Sequence, residues 1–391
     1  MKHKGNILFF MTPAYGHSLC VLPIIKRLVE KGYRVQCYIT SEFQKLVEQC
    51  GAEYVSYSLD FENLVLKDVT ANFYELMKAL TTLNQEAYPL YLPVVEREQP
   101  DIILYDSMCA FAKNIAHRTQ IPSACMVATL AFNLPVFLLS HMFPSSVLLY
   151  LKNRKGIQKV IKDERHFRRQ NGLPRFRMID LFMNRAKTTI VLSPKEFQPF
   201  YRTFSKGVHF VGTTLKDKIA MFHEPQKEYE AYDLYISMGS VFTDNIKELK
   251  SLFLEEEGSK HSIIAVVGDE EIKTTHDNIT LCKWVNQIDV LPHCRFFVNQ
   301  GGLNSVYESI YFGIPQLCIP KQEEQRLDSI VVQKKKLGFF RKEFRREWLE
   351  AAWESKDNLE ISRMQKILRQ QDGTARAVEL IEQAMERKNS G

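Results

Sequence analysis

The chain has 391 residues, 45% of them hydrophobic and 25% charged, with a formal net charge of +6. That length accommodates two ordinary domains, each with its own core, and the composition is that of a soluble globular protein. The modest positive charge is spread along the whole chain and comes without basic-plus-aromatic RNA-binding signatures, so nucleic acid is excluded as an expected partner.

Strand and helix alternate from the start. Asn6 to Met11 is a continuous apolar run, as a strand buried on both faces requires. The loop Thr12-Pro13-Ala14-Tyr15-Gly16-His17 follows, then a helical stripe of Leu19, Leu22, Ile24, Ile25, Leu28 and Val29 that ends at Gly32. Tyr33 to Thr40 reads as the second strand, completing the right-handed crossover unit that opens a doubly wound sheet. The N-terminus enters this unit directly, without the apolar core or cleavage site of a signal peptide. Asp101 to Asp106 is a further parallel-strand run. Open α/β sheets bind ligands at the carboxyl ends of their strands, where His17 and Asp106 both fall. An imidazole with a reference pKa of about 6.5 can take a proton from a hydroxyl, and a carboxylate behind it orients the ring and stabilises the imidazolium. The alternatives are a loop histidine bonded to backbone, and an aspartate that caps a helix expected from near Met108.

Leu64 to Arg97 reads as mostly helical. Met126 to Leu151 is strongly apolar but broken by Asn133, Pro135, His141 and Pro144, which argues against a membrane-spanning helix. Lining of an apolar acceptor pocket and plain core packing suit it equally. Residues 152–187 carry twelve Lys or Arg against three acids. Such a run is a solvated helix face or a peripheral contact with an anionic membrane surface. Thr188 to Ser193 is expected to be the last strand of the first domain, giving domains at 1–213 and 233–391 with an irregular, charged linker at 214–232. The eight cysteines include no C-x-x-C pair and lie mostly in apolar runs, as buried free thiols of a cytoplasmic protein do.

The second half repeats the alternation, with strands at Leu234–Met238, Ile263–Val267 and Asn278–Leu281, a turn at Gly239-Ser240 and a helix at Ile246–Glu257. Its organising stretch runs from Trp284 to Gln325. Phe296, Phe297 and Val298 suit a buried strand, and Gly301 and Gly302 let the backbone turn tightly and approach a ligand. Asn304 and Ser305 are cap-type residues before a helix that runs to Gly313. A helix start after a strand and glycines presents unpaired N–H groups and a positive dipole end, which suits phosphate. An exposed Trp284 can stack on a planar base. Glu308, about one turn into the helix, can accept from ribose hydroxyls, and Glu324 and Gln325, after the strand Gln316–Ile319, can bind sugar hydroxyls.

These motifs occur in a fixed order: Pro-x-x-Gly-His after the first strand, the Tyr-Asp strand end, Ser-x-Gly-Ser in the second domain, then the Trp-to-Gln stretch. With them the chain resembles the UDP-glycosyltransferase family of GT-B fold, and most of all bacterial macrolide- and flavonoid-type glycosyltransferases, over nearly its whole length. The resemblance implies two Rossmann-like doubly wound domains facing across a cleft, with the acceptor bound by the first and the nucleotide sugar by the second. It implies an inverting, metal-independent transfer of a hexose, glucose by expectation, from a nucleotide diphosphate, UDP by expectation, to a hydroxyl of an apolar small molecule. The sugar nucleotide is then a co-substrate and no cofactor is needed. Carried over by position, His17 is the general base and Asp106 its partner. Trp284 stacks on the base and the Val285 backbone pairs with it. Gln287 and Glu308 hold the ribose, Ser240, Gln300, Gly302, Asn304 and Ser305 surround the diphosphate, and Glu324 and Gln325 hold the sugar.

Three positions depart from the pattern. Gln300 stands where the family usually has histidine, and as a neutral donor it cannot become cationic. Lys321 stands where glutamine is common. Asn286 replaces the usual proline, a change expected to matter little. The tail beyond Gly338 is short for the family and could trim the C-terminal helix that normally crosses back, and the last helix of 233–391 is expected to pack back on the first domain where it is kept. A lipid-directed transferase and a non-catalytic nucleotide-sugar-binding partner protein are the competing readings.

Overall fold

The computed structural model describes residues 3–59, 61, 73–139, 142–177, 183–223, 229–238, 260–268, 274 and 276–386. They divide into two compact units, one of Met1–Thr214 with Asp372–Gly391, the other of Leu215–Gln371. The first unit is built on seven strands: β1 (Asn6–Phe10), β2 (Arg34–Ile39), β3 (Glu53–Ser56), β4 (Ile102–Asp106), β5 (Ser123–Val127), β6 (Thr188–Val191) and β7 (Val208–Phe210). They run in the order β3-β2-β1-β4-β5-β6-β7, and every neighbouring pair is parallel. The central strands are the uninterrupted apolar runs, buried because helices cover both faces. The winding reverses between β1 and β4, which pair with Phe10 opposite Tyr105. Their carboxyl ends therefore open side by side at the topological switch point.

Two expectations for this unit need correction. Thr188–Val191 is not its last strand, because Val208–Phe210 pairs beyond it; three residues are too few to carry a period. The basic run 152–187 begins in the helix Met142–Gln170, and part of it is interior. Arg168 is buried and donates to Glu164 at 2.7 Å, while Glu164 also accepts from Asn84 and Gln85. The short tail retains its helix: Gly373–Glu386 packs on the helix Leu22–Glu30 and on β5 and β6. A Cβ at Gly373 would lie 2.4 Å from the Thr213 carbonyl oxygen, so this approach needs glycine. Glu382 fastens the helix by accepting from Lys4 (3.0 Å), Lys31 (2.5 Å) and Tyr33 (3.0 Å).

The second unit has β8 (Tyr232–Ser237), β9 (Ile263–Val266), β10 (Ile279–Cys282), β11 (Cys294–Asn299), β12 (Gln316–Cys318) and β13 (Phe339–Phe340). The order β10-β9-β8-β11-β12-β13 winds as the first sheet does and is again all parallel. Successive side chains go to opposite faces. Leu234, Ile236, Phe296 and Val298 enter one core, and Tyr235 and Phe297 enter the other, their rings stacked 4.8 Å apart. Each such side chain contributes about 1.5–3 kcal/mol on burial. Here the switch point lies between β8 and β11, so the glycine turn after Asn299 falls at it. In the stretch read as irregular linker, Leu215–Phe222 is a helix belonging to this unit; the buried Leu215 and Lys218 hold it there. Ser240 and Ile246–Glu257 lie outside the described residues. Among the described residues no helix is long and apolar enough to cross a membrane.

Candidate active site

His17 sits in the short helix Tyr15–Ser18 that follows β1, and its Nδ1 lies 2.8 Å from Asp106 Oδ2 at the end of β4. The adjacency of the two strand ends brings together residues 89 positions apart. Asp106 also accepts, on Oδ1, from the Thr12 hydroxyl at 2.8 Å and the Met108 N–H at 2.9 Å. It is thus both the histidine partner and a local turn-former, one role on each oxygen. Burial alone would raise its carboxyl; the His17 ring, then the Met108 amide and Thr12 hydroxyl, overcome this and hold it below the ordinary carboxylate value. With Nδ1–H donated to Asp106, the neutral ring carries its lone pair on Nε2, the arrangement a general base uses. The Thr12 hydroxyl was not anticipated from sequence, and nothing local signals it.

The second cluster grows out of β11. After Asn299 the chain turns at Gly301 (φ +76°), whose N–H donates to Asn299 Oδ1 at 2.6 Å. A Cβ at Gly301 would lie 2.1 Å from Ser329 Oγ, whereas one at Gly302 would meet no heavy atom of the described residues within 4 Å. The helix Leu303–Phe312 begins with Gly302 at its N-cap and no side-chain cap. This corrects the expected start: Asn304 and Ser305 lie within its first turn. Gly302, having no side chain, supplies no N-cap acceptor to the first-turn N–H groups. Gln300 is buried, its Oε1 accepts from Gln325 Nε2 at 3.2 Å, and its own Nε2 has no hydrogen-bond partner among the described residues.

Further along, Glu308 is buried; Lys218 Nζ donates to its Oε1 at 2.5 Å and Gln287 Nε2 to its Oε2. Gln287 Nε2 is also 3.2 Å from Ser305 Oγ, so Gln287, Ser305 and Glu308 form one group. Trp284 follows β10 and is 67% exposed, beside a buried Val285. Asn286 matters more than expected. It caps the helix Gln287–Val290, and its Nδ2 donates to Phe222 O at 2.7 Å and Asp289 Oδ2 at 2.8 Å, bonds that proline cannot make. Gln325 Oε1 accepts from the Lys321 and Gln322 N–H groups in a capping box at the start of the helix Glu323–Lys334. Its bond to Gln300 joins the glycine turn to the loop that carries Lys321 and to the helix start that carries the exposed Glu324. Among the described residues no three His, Cys, Asp or Glu side chains converge as a metal cage.

Two doubly wound parallel-sheet units in sequence define the GT-B class. The crystal structure of the glycotransferase of kitacinnamycin superimposes with a TM-score of 0.83 at 21% identity, covering 98% of this chain and all of that one. Residues 230–352 match the family UDPGT, UDP-glucoronosyl and UDP-glucosyl transferase. Among curated relatives, the NDP-glycosyltransferase YjiC of Bacillus licheniformis is 28% identical over 352 residues, 86% of this chain and 85% of the relative. The oleandomycin glycosyltransferase of Streptomyces antibioticus is 24% identical over 400 residues, 97% and 90% of the two chains. The protein is a glycosyltransferase of GT-B fold, with a UDPGT segment spanning the Trp-to-Gln motif.

Proposed function

We propose that this enzyme transfers a hexose, glucose from UDP in the first instance, to a hydroxyl of an apolar natural-product acceptor, with inversion and without a metal. The buried Gln300 amide nitrogen, which has no hydrogen-bond partner among the described residues at the head of the helix Leu303–Phe312, carries this reading. Buried donors are paired in native proteins, and a diphosphate would supply the missing acceptor. The uncapped helix start and the open approach at Gly302 support the same place for it. Trp284 would cover the base and Val285 pair with it through its backbone. Gln287 and Glu308 would take the ribose, Asn304, Ser305 and Ser240 the phosphates, and Glu324 and Gln325 the hexose. The relatives named for oleandomycin and kitacinnamycin support an apolar acceptor, as do the exposed Tyr15, Leu134 and Leu138 of the first unit.

In the reaction the acceptor O–H proton passes to His17 Nε2 and the oxygen attacks the anomeric carbon from the face opposite the diphosphate. The carbon–oxygen bond to the diphosphate breaks, and its electron pair leaves with UDP. Asp106 stabilises the imidazolium, while the helix N–H groups and the Gln300 amide receive the charge of the leaving group. Neutral donors thus do the work that a cationic histidine does elsewhere in the family.

The test is release of UDP from UDP-glucose, with TDP-glucose as a control, against macrolide, phenolic and lipid acceptors. His17→Ala is expected to lose on the order of 100- to 10,000-fold in rate. Turnover surviving in that variant would sink the assigned base. Nucleotide binding without acceptor-dependent turnover would favour the non-catalytic binder, and turnover confined to lipid acceptors would favour the lipid-directed reading.

A further inference from the structure

We infer that Lys218 is a positioning residue for ribose recognition, an inference that rests on the placement of Glu308 at the ribose. Lys218 lies on Leu215–Phe222, yet its side chain is only 8% exposed and its ammonium stands 2.5 Å from Glu308 Oε1, on a side chain 5% exposed. The other oxygen of Glu308 is held by Gln287, which also reaches Ser305 Oγ at 3.2 Å. Lys218, Glu308, Gln287 and Ser305 therefore form one continuous polar chain leading back to the first turn of the helix Leu303–Phe312.

A buried lysine–glutamate pair adds little net stability, because desolvation of both charges offsets most of their attraction. What it supplies here is geometry. One donor on each oxygen confines a side chain with three torsions to a single orientation. An ionised carboxylate has about four acceptor positions, so each oxygen retains a second one after Lys218 and Gln287 are counted. Two acceptors side by side on a fixed carboxylate match vicinal hydroxyls, as in the 2′,3′-diol of a ribonucleotide. Without Lys218 the carboxylate would be oriented by a lone neutral amide, and the diol would have to order it on binding. Lysine suits this role as a compact point charge on a long stem that can reach from a neighbouring helix.

The experiment compares calorimetric affinities for UDP and for 2′,3′-dideoxyuridine 5′-diphosphate in the wild type, Lys218→Met and Lys218→Arg. Wild type should prefer UDP. Lys218→Met should weaken UDP about tenfold, the effect of a charge-assisted hydrogen bond, and should shift the dideoxy nucleotide by less than about twofold. Lys218→Arg, which keeps the cation, should recover most of the UDP affinity and carries the test if the methionine variant fails to fold. Equal losses for the two nucleotides, or none for either, would overturn the role of Lys218 while leaving Glu308 at the ribose. A wild type that binds both nucleotides equally would overturn the Glu308 assignment and this inference together.

Discussion

Asp328 lies on the helix Glu323–Lys334 with no exposed surface, and neither of its carboxylate oxygens has a hydrogen-bond partner among the described residues. Burying an isolated carboxylate in its ionised form is prohibitively costly, so such a group takes up a proton. Burial, and then the charge of Glu324 one turn earlier, push its pKa well above 3.8. The folded chain therefore holds a proton that the unfolded chain gives up above that value. Asp328 contributes full stability below pH 3.8 and loses it as the pH rises towards the folded-state pKa. Between the unfolded and the folded value the loss accumulates at up to about 1.4 kcal/mol per pH unit. Asp328→Asn has nearly the same shape and no proton to exchange. It should be more stable than wild type at neutral pH, with an advantage that shrinks as the pH is lowered towards 3.8. Tryptophan fluorescence in urea reads the right part of the molecule, because Trp284, Trp348 and Trp353 all belong to the unit Leu215–Gln371. A difference that does not change with pH, or a wild type more stable at pH 7, would refute the argument.

Two glycines that are adjacent in sequence should respond differently. Gly301→Ala meets both a positive φ and Ser329 Oγ, and should cost more than about 1 kcal/mol in urea unfolding. Gly302→Ala has φ −63° and no neighbour in reach, so stability should change by less than about 0.5 kcal/mol while calorimetry shows weaker UDP binding; unchanged affinity would exclude the diphosphate from this turn. In the first unit, Glu382→Ala removes the shared partner of Lys4, Lys31 and Tyr33. Amide exchange across Gly373–Glu386 should speed up by about fivefold, less at high salt, as for a partly exposed ion pair. These partners hold the Glu382 carboxyl below its usual 4.5 against the opposing effect of burial, so the effect should be present above pH 4.5 and fade as the carboxyl protonates.

The parts legible from sequence are those whose cause is local. Asn6–Phe10, Ile102–Asp106 and Phe296–Val298 announce buried parallel strands because, apart from the polar ends Asn6 and Asp106, their side chains are apolar or aromatic, and the glycine turn announces a close backbone approach. The proximity of His17 and Asp106 was readable for a topological reason: both fall at the ends of strands that a doubly wound order makes neighbours. Other features depended on partners far along the chain. The helix Leu215–Phe222 reads as charged linker until Lys218 is seen inserted beside Glu308, 90 residues away. Val208–Phe210 becomes a strand only because β6 has an open edge to pair with, and Asn286 gains meaning only from Phe222 and Asp289. Composition and periodicity thus determined the class of fold and the order of its motifs, since these follow from which residues must be dry. Tertiary structure alone decided which polar atoms meet inside it, because a hydrogen bond or ion pair needs a specific partner at about 3 Å, and no pattern along the chain encodes that distance.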